Sequence, residues 1–564
     1  MKLTDKRIVI AGTGSGCGKT TVTSGILQCL VNRGISAASF KCGPDYIDPM
    51  FHEKVIGTRS GNLDLFFSDE KMLRYLAASA SQSCEISVAE GVMGYYDGIG
   101  MTDEASTYRV AKALRAPAVL VIGARGMASS VLAVLEGFLH HKPDSGIRGV
   151  IFNRLSEKLY SRLEGQVRSL GVEPLGYLPS DSRVEIGSRH LGLVTAGEIT
   201  DLKDRLNVLA QWMEETVNID GIVRLAGQAD PLEAELPESI ESARRRLSEY
   251  YSMESARLRM GECYSMAVDC RRTNEYSDIE PGCRRVDEIF SGKSTVESTV
   301  ESAVLSADAG KEPDSAKNEN GQKNEKENRK SCLSLRPKIA VAKDDAFCFT
   351  YRANLDLLKE LGAELVPFSP ISDADLPKDI DGLIISGGYP ELYGDALESN
   401  VSMRLAVKSA IEGGMPVIAE CGGFMYLHRA VEGTEQEAAG GEKADFSGGF
   451  RRMYEMAGVF DGECHKKDRL VRFGYIEMTA RENGLLAEAG GRLKAHEFHY
   501  WDSAGNGSSF LAEKADRSRS WECGISTETM YAGFPHLFFC SSPDAAERFV
   551  KKCAEYRRIK KDEI

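Results

Sequence analysis

The sequence predicts two α/β units in series, each built on a mostly parallel sheet, and three observations carry that reading. Short apolar strands alternate with amphipathic helical stretches over the first two hundred residues. The same alternation restarts at Lys338, and between about Gln228 and Pro337 the pattern dissolves. A chain of 564 residues is also longer than one ordinary core supports. The boundaries are drawn at 1–227, 228–337 and 338–564.

In the first unit, Arg7–Ala11, Ala37–Lys41, Glu85–Glu90, Pro117–Gly123 and Arg148–Asn153 read as strands, and Lys19–Arg33 as a helix closed by Gly34. In the second, strands Ile339–Ala342, Glu364–Phe368, Gly382–Ser386 and Pro416–Glu420 are joined by helices Asn354–Leu361 and Val401–Glu412. Between the units, Gly310–Lys330 holds one apolar aliphatic residue, Ala316, and cannot bury enough surface to offset its ordering entropy. An S-T-V-E repeat lies at Ser294–Ser302, so the region is read as an insertion and linker with short helices near Glu233–Tyr251. A Gly-, Ala- and Glu-rich stretch at Gly433–Gly449 reads as a surface loop.

Composition narrows the class. Hydrophobic residues make up 42% and charged residues 27%, a globular balance, and the net charge of −14 argues against a nucleic-acid binder. The fourteen cysteines show no repeated spacing, and Cys263, Cys270, Cys283 and Cys332 are too irregular for a zinc site. Neither a signal peptide nor an apolar run of the ~20 residues that cross a bilayer is present, so a cytoplasmic protein is expected.

Gly12–Thr21 reads G-T-G-S-G-C-G-K-T-T between a strand and a helix. The glycines Gly12, Gly14, Gly16 and Gly18 let backbone N–H groups face phosphate oxygens at a helix N-terminus. Lys19 would hold the β- and γ-phosphates of ATP, Thr20 would place a hydroxyl on Mg²⁺, and Thr21 completes the loop. Thr13 stands where the strict pattern has its first glycine, a longer loop that resembles the dethiobiotin-synthetase-like branch of P-loop proteins. Acidic groups follow the next strands, Asp45 and Asp48 in K-C-G-P-D-Y-I-D-P and Glu90 and Asp97 in E-G-V-M-G-Y-Y-D-G. Strand ends are where ligands gather in such sheets, and hard oxygens suit Mg²⁺. Asp48 and Glu90 are taken as metal ligands and Asp45, Tyr46 and Asp97 as substrate residues, with Asn153 as a weaker candidate for the adenine base.

Cys421 ends the strand of P-V-I-A-E-C-G-G, at an elbow that exposes a nucleophile and places it before a helix N-terminus expected to lower its pKa. Amides of Gly388 and Tyr389 in I-S-G-G-Y-P are candidates for an oxyanion hole, and H-E-F-H at His496–His499 supplies a general base. His499 is preferred over His496, His536 is read as structural, and no third triad member is evident, because Glu497 is expected to point away.

Taken together, these motifs resemble the cobyrinic acid a,c-diamide synthase family over roughly 6–199 and 338–542, joined by S-R-H-L-G-L-V at Ser188–Val194 and A-K-D-D-A-F-C-F at Ala342–Phe349. The resemblance implies a dethiobiotin-synthetase-like P-loop domain followed by a flavodoxin-like class I glutamine amidotransferase domain of the cobyric-acid-synthase type. That type works with cysteine and histidine alone, and its histidine corresponds to His499. The implied reaction amidates the a and c acetates of a cobalt corrinoid with ATP, Mg²⁺ and glutamine. Hydrogenobyrinic acid and a nickel sirohydrochlorin stay open as substrates, and a homodimer stays open as the assembly. A non-catalytic P-loop switch is the rival from another class, and it leaves Cys421, Gly388 and His499 without a task.

Overall fold

The computed structural model describes residues 3–180, 196–273, 336–433 and 452–562. In the first unit β1 (Lys6–Gly12), β2 (Ala37–Cys42), β3 (Arg59–Leu63), β4 (Ile86–Glu90), β5 (Ala118–Gly123), β6 (Ile147–Asn153) and β7 (Glu173–Leu178) form one sheet. Its order is β3-β2-β4-β1-β5-β6-β7, and every pairing is parallel. The central strands are buried on both faces, which is why they read as unbroken apolar runs. Strands β3 and β7 escape the sequence reading because they are edges, and R-S-G-N-L has no apolar run. The chain leaves β1 towards β2 on one side and crosses from β4 to β5 on the other. The switch point therefore falls at the end of β1, where Gly12–Gly18 emerges.

The second unit holds β8 (Lys338–Ala342), β9 (Glu364–Phe368), β10 (Gly382–Ile385) and β11 (Val417–Glu420). Beyond them come β12 (His428–Glu432), β13 (Met453–Glu455), β14 (Phe460–Lys466), β15 (Arg472–Ala480), β16 (Arg492–His499) and β17 (Trp501–Ser503). The series ends with β18 (Phe510–Lys514), β19 (Ser520–Cys523), β20 (Ile525–Ser526), β21 (Met530–Gly533) and β22 (His536–Leu537). The main sheet runs β20-β21-β11-β10-β8-β9, parallel except where β20 meets β21. Two further sheets, β13-β12-β14-β17 and β19-β18-β15-β16-β22, lie beyond the strands the sequence predicts.

Part of the expected insertion is packed structure. A helix spans Glu238–Thr273, and Ile240, Ala243, Leu247 and Tyr251, at helical spacing, are buried in one core with Met72, Leu358 and Phe549. That core joins the two units. Phe67 stacks on Phe538 (4.9 Å between centroids), Phe66 stacks on Tyr475 (4.5 Å), and the Tyr475 hydroxyl donates to Asp64 Oδ2 at 2.7 Å. The Gly310–Lys330 run, the Ser294–Ser302 repeat, Ser188–Val194, the surface loop after Gly433, Cys283 and Cys332 lie outside the described residues, as do the side chains of Cys263 and Cys270. Among the described residues no helix is long and apolar enough to cross a membrane.

Candidate active site

The phosphate loop closes onto the next strand ends. Gly16 (φ +76°) and Gly18 (φ +100°) take the left-handed turns that let the loop curl into the helix Lys19–Asn32. Lys19 Nζ donates to the carbonyls of Gly14 (2.8 Å) and Met93 (2.5 Å), bridging the loop to the segment after β4. Asn153, expected at the base, donates instead to the carbonyl of Cys17 at 3.0 Å and packs on Gly18, so its side chain braces the loop.

Behind the loop a buried polar chain joins the predicted acidic residues. Thr20 Oγ1 donates to Glu90 Oε1 at 2.6 Å, and Lys41 Nζ sits between Glu90 Oε1 (2.8 Å) and Asp48 Oδ2 (2.5 Å). Burial pushes the Glu90 carboxyl up to about 7, against the opposing pull of Lys41. Burial alone would lower Lys41, yet Glu90 and Asp48 outweigh it and hold the ammonium well above its usual range. The Thr20 hydroxyl and the Glu90 carboxylate, whose Oε2 accepts no hydrogen bond among the described residues, are hard oxygens of the kind that takes magnesium beside a triphosphate, so they fit that ion. Sequence reasoning missed Lys41 as a functional residue, although it opens the K-C-G-P-D motif.

The substrate candidates divide. Asp45 is half-buried, its Oδ1 accepts from the Ile47 amide at 2.8 Å, and loss of water followed by Asp48 raises it to about 6. Asp97 is exposed and its Oδ2 accepts from the Gly94 amide at 2.7 Å, in the loop that also meets Lys19. Tyr46 is chiefly an interface residue, enclosed by Phe349 (5.2 Å), Tyr351 (4.4 Å) and His536 (5.1 Å) of the second unit.

In the second unit Cys421 has φ +47° and ψ −104°, a conformation that costs a non-glycine residue roughly 1–3 kcal/mol. The surroundings impose it. The Cys421 amide donates to Gly533 at 2.8 Å, and a Cβ on Gly423 would lie 1.9 Å from the Ile385 carbonyl. The thiol is pushed up rather than down, which corrects the expectation from the helix N-terminus. Burial dominates and Glu391 adds to it, while the Gly422 amide opposes both. The helix Gly422–Leu427 has only six residues, and its dipole does not offset the loss of water.

His499 Nδ1 lies 2.6 Å from the Trp501 carbonyl, which only accepts, so that nitrogen carries the proton. Nε2 is then a free lone pair; it has no partner among the described residues. Burial lowers His499 to about 4, and its ring lies flat on Phe534 (4.0 Å, 3°), giving a neutral base fixed in plane. The burial pattern of β16 places Glu497 on the face of His499, correcting the expectation that it points away. Even so, the Trp501 carbonyl, not Glu497, orients the imidazole. The Tyr389 amide is committed to the Ala346 carbonyl at 2.8 Å, which removes it as an oxyanion donor in this conformation. The Gly422 amide, which faces the Cys421 sulfur, is the alternative donor beside Gly388, and the two backbones approach so closely that a Cβ on Gly422 would lie 2.9 Å from the Gly388 nitrogen. The C-G-G run was the available signal for it.

A single cavity of about 570 Å³ is lined by Asp45, Tyr46 and Met93 of the first unit and by Cys421, His496 and His499 of the second. A P-loop nucleotide site and a cysteine–histidine amidase site define a glutamine-dependent amidating ligase, and the loops after β2 and β4, beside the first site, share this cavity with the second. The comparisons give the class its family. Residues 8–194 match the CobQ/CobB/MinD/ParA nucleotide binding domain, and residues 338–543 match the CobB/CobQ-like glutamine amidotransferase domain. The chain is 33% identical to the cobyrinate a,c-diamide synthase of Caldanaerobacter subterraneus subsp. tengcongensis, over 98% of this chain and 99% of that one. It is 30% identical to the protein of that name from Priestia megaterium, over 100% of both chains, and 32% identical to that of Thermoplasma volcanium, over 98% of both. The chain belongs to the cobyrinate a,c-diamide synthase family.

Proposed function

We propose that the protein amidates the a and c acetate carboxylates of cobyrinic acid, using ATP and glutamine, in cobalamin biosynthesis. The observation that carries this reading is the shared cavity, which is lined both by the acidic loop beside the phosphate site and by the Cys421 elbow. A corrinoid carboxylate oxygen attacks the γ-phosphorus of ATP, the bond to the β-phosphate oxygen breaks, and ADP leaves. Lys19 neutralises charge on the transferred group, and Asp45 and Asp97 orient the macrocycle. Thr20 and Glu90, with Asp48 beside them, would hold Mg²⁺, which supplies charge neutralisation at the phosphates.

In the second unit His499 Nε2 takes the Cys421 proton and the sulfur attacks the glutamine amide carbon. The oxyanion faces the Gly388 and Gly422 amides, and the proton returns to the departing nitrogen. Ammonia leaves, and water hydrolyses the glutamyl thioester. Ammonia then attacks the acyl phosphate and expels phosphate, within a space that keeps it unprotonated. The need for ATP and glutamine together supports a cytoplasmic reaction.

The test incubates purified protein with ATP, glutamine and cobyrinic, hydrogenobyrinic or nickel-sirohydrochlorin substrates, with products weighed by mass spectrometry. Cys421→Ser abolishes glutamine-driven but not ammonia-driven amidation, and Lys19→Ala abolishes both. Glutamine hydrolysis by Cys421→Ser at the native rate would overturn the assignment.

A further inference from the structure

Glu391 closes the S-G-G-Y-P-E run in the short turn Pro390–Leu392, and its role goes beyond anything drawn from the sequence. The residue is 6% exposed and lines the cavity together with Cys421 and His499. Among the described residues its carboxyl enters no ion pair, and the only donor to it is its own backbone amide. Burial pushes it up to about 8, with Lys466 the one cation that counters the shift. It is also the first charged group to act on Cys421, so it stands within Coulombic reach of the sulfur. A carboxyl removed from water without a cation is costly to keep, and surrounding structure seldom leaves one so unless a ligand supplies the partner.

The chemistry of the donor supplies that partner. When the amide carbon of glutamine sits at Cys421, its α-ammonium lies two methylenes and one carbon away, a few ångströms from the sulfur. We propose that the Glu391 carboxylate binds the α-ammonium of glutamine, and so restricts the nitrogen donor to amides that carry an α-amino group. This rests on the reading of Cys421 as the glutaminase nucleophile. Binding brings a charge-assisted hydrogen bond to a buried carboxylate. It also offsets the share that Glu391 adds to the larger upward push of burial on the Cys421 thiol, which favours the nucleophile when the correct donor is bound.

The test compares glutamine with glutaramate, the same amide without its α-amino group, as substrates of the full-length enzyme. Losing one charge-assisted contact corresponds to roughly 10- to 150-fold in kcat/KM. Wild type is expected to prefer glutamine by that margin. Glu391→Gln should lose it on glutamine, chiefly through KM, while glutaramate turnover stays within a few-fold. Glu391→Asp, which keeps the charge, should retain part of the preference. Equal losses of Glu391→Gln on both substrates, or an unchanged preference, would overturn the proposal. Failure of wild type to hydrolyse glutamine at all would instead overturn the glutaminase reading on which it rests.

Discussion

Gly18→Ala should cripple nucleotide binding, and the structure gives the magnitude. Gly18 sits at φ +100°, beyond the left-handed well that side chains tolerate, so a Cβ there costs roughly 1–2 kcal/mol in backbone strain. That Cβ would also lie 1.9 Å from Asn153 Nδ2, the atom that donates to the Cys17 carbonyl. Relief requires Asn153 to swing away and leaves a buried carbonyl unpaired, at about 1–3 kcal/mol. The sum, about 2–5 kcal/mol, weakens ATP binding by roughly 30-fold to several thousand-fold. Gly14 is the internal control, since its Cβ would meet nothing within 4 Å and alanine keeps the carbonyl that Lys19 uses. Titration calorimetry with ATP should show the large loss for Gly18→Ala and a change within a few-fold for Gly14→Ala. Adding Asn153→Ala to Gly18→Ala should cost little more, because the hydrogen bond from Asn153 to the Cys17 carbonyl is already lost. Wild-type affinity in Gly18→Ala would refute the argument.

Two further outcomes follow from the interface and from buried charge. Tyr46→Ala removes a ring enclosed by Phe349, Tyr351 and His536, a loss of about 3–5 kcal/mol in packing between the units. It should raise the glutamate released per amide formed; an unchanged ratio would show that the stack does not couple the two sites. Glu420, beside the nucleophile, is pushed up to about 8 by burial, so the folded state keeps a proton that the unfolded chain releases. Rising pH from its ordinary value of 4.5 to about 8 therefore favours unfolding, and the melting temperature should fall across that window and level off above about pH 8. Glu420→Gln, neutral throughout and still able to accept the Leu537 amide, should flatten that slope.

What the sequence made legible was whatever needs a particular residue type at a particular backbone conformation. Gly16 and Gly18 of the phosphate loop and the C-G-G of the elbow are required by positive φ or by close backbone approach, so they leave a mark in the letters. What it hid were tasks performed by the main chain. The Trp501 carbonyl that fixes the His499 tautomer could belong to any residue, and the commitment of the Tyr389 amide to Ala346 depends on how a neighbouring loop lies. The same holds for Tyr46, where a tyrosine in an acidic loop looks like a substrate contact until Phe349 and His536, some three and five hundred residues away, close around it. Contacts of that separation leave no local pattern. The site is nonetheless built on this one. The segment Ala346–Tyr351 accepts the Tyr389 amide through Ala346 and donates from Phe349 to Gly387, and its Tyr351 hydroxyl donates to Pro44 at 3.2 Å. One short strap thus touches the loop of Gly388 on one side and the loop of Asp45 on the other, so a shift at either site must be felt by the backbone of the other.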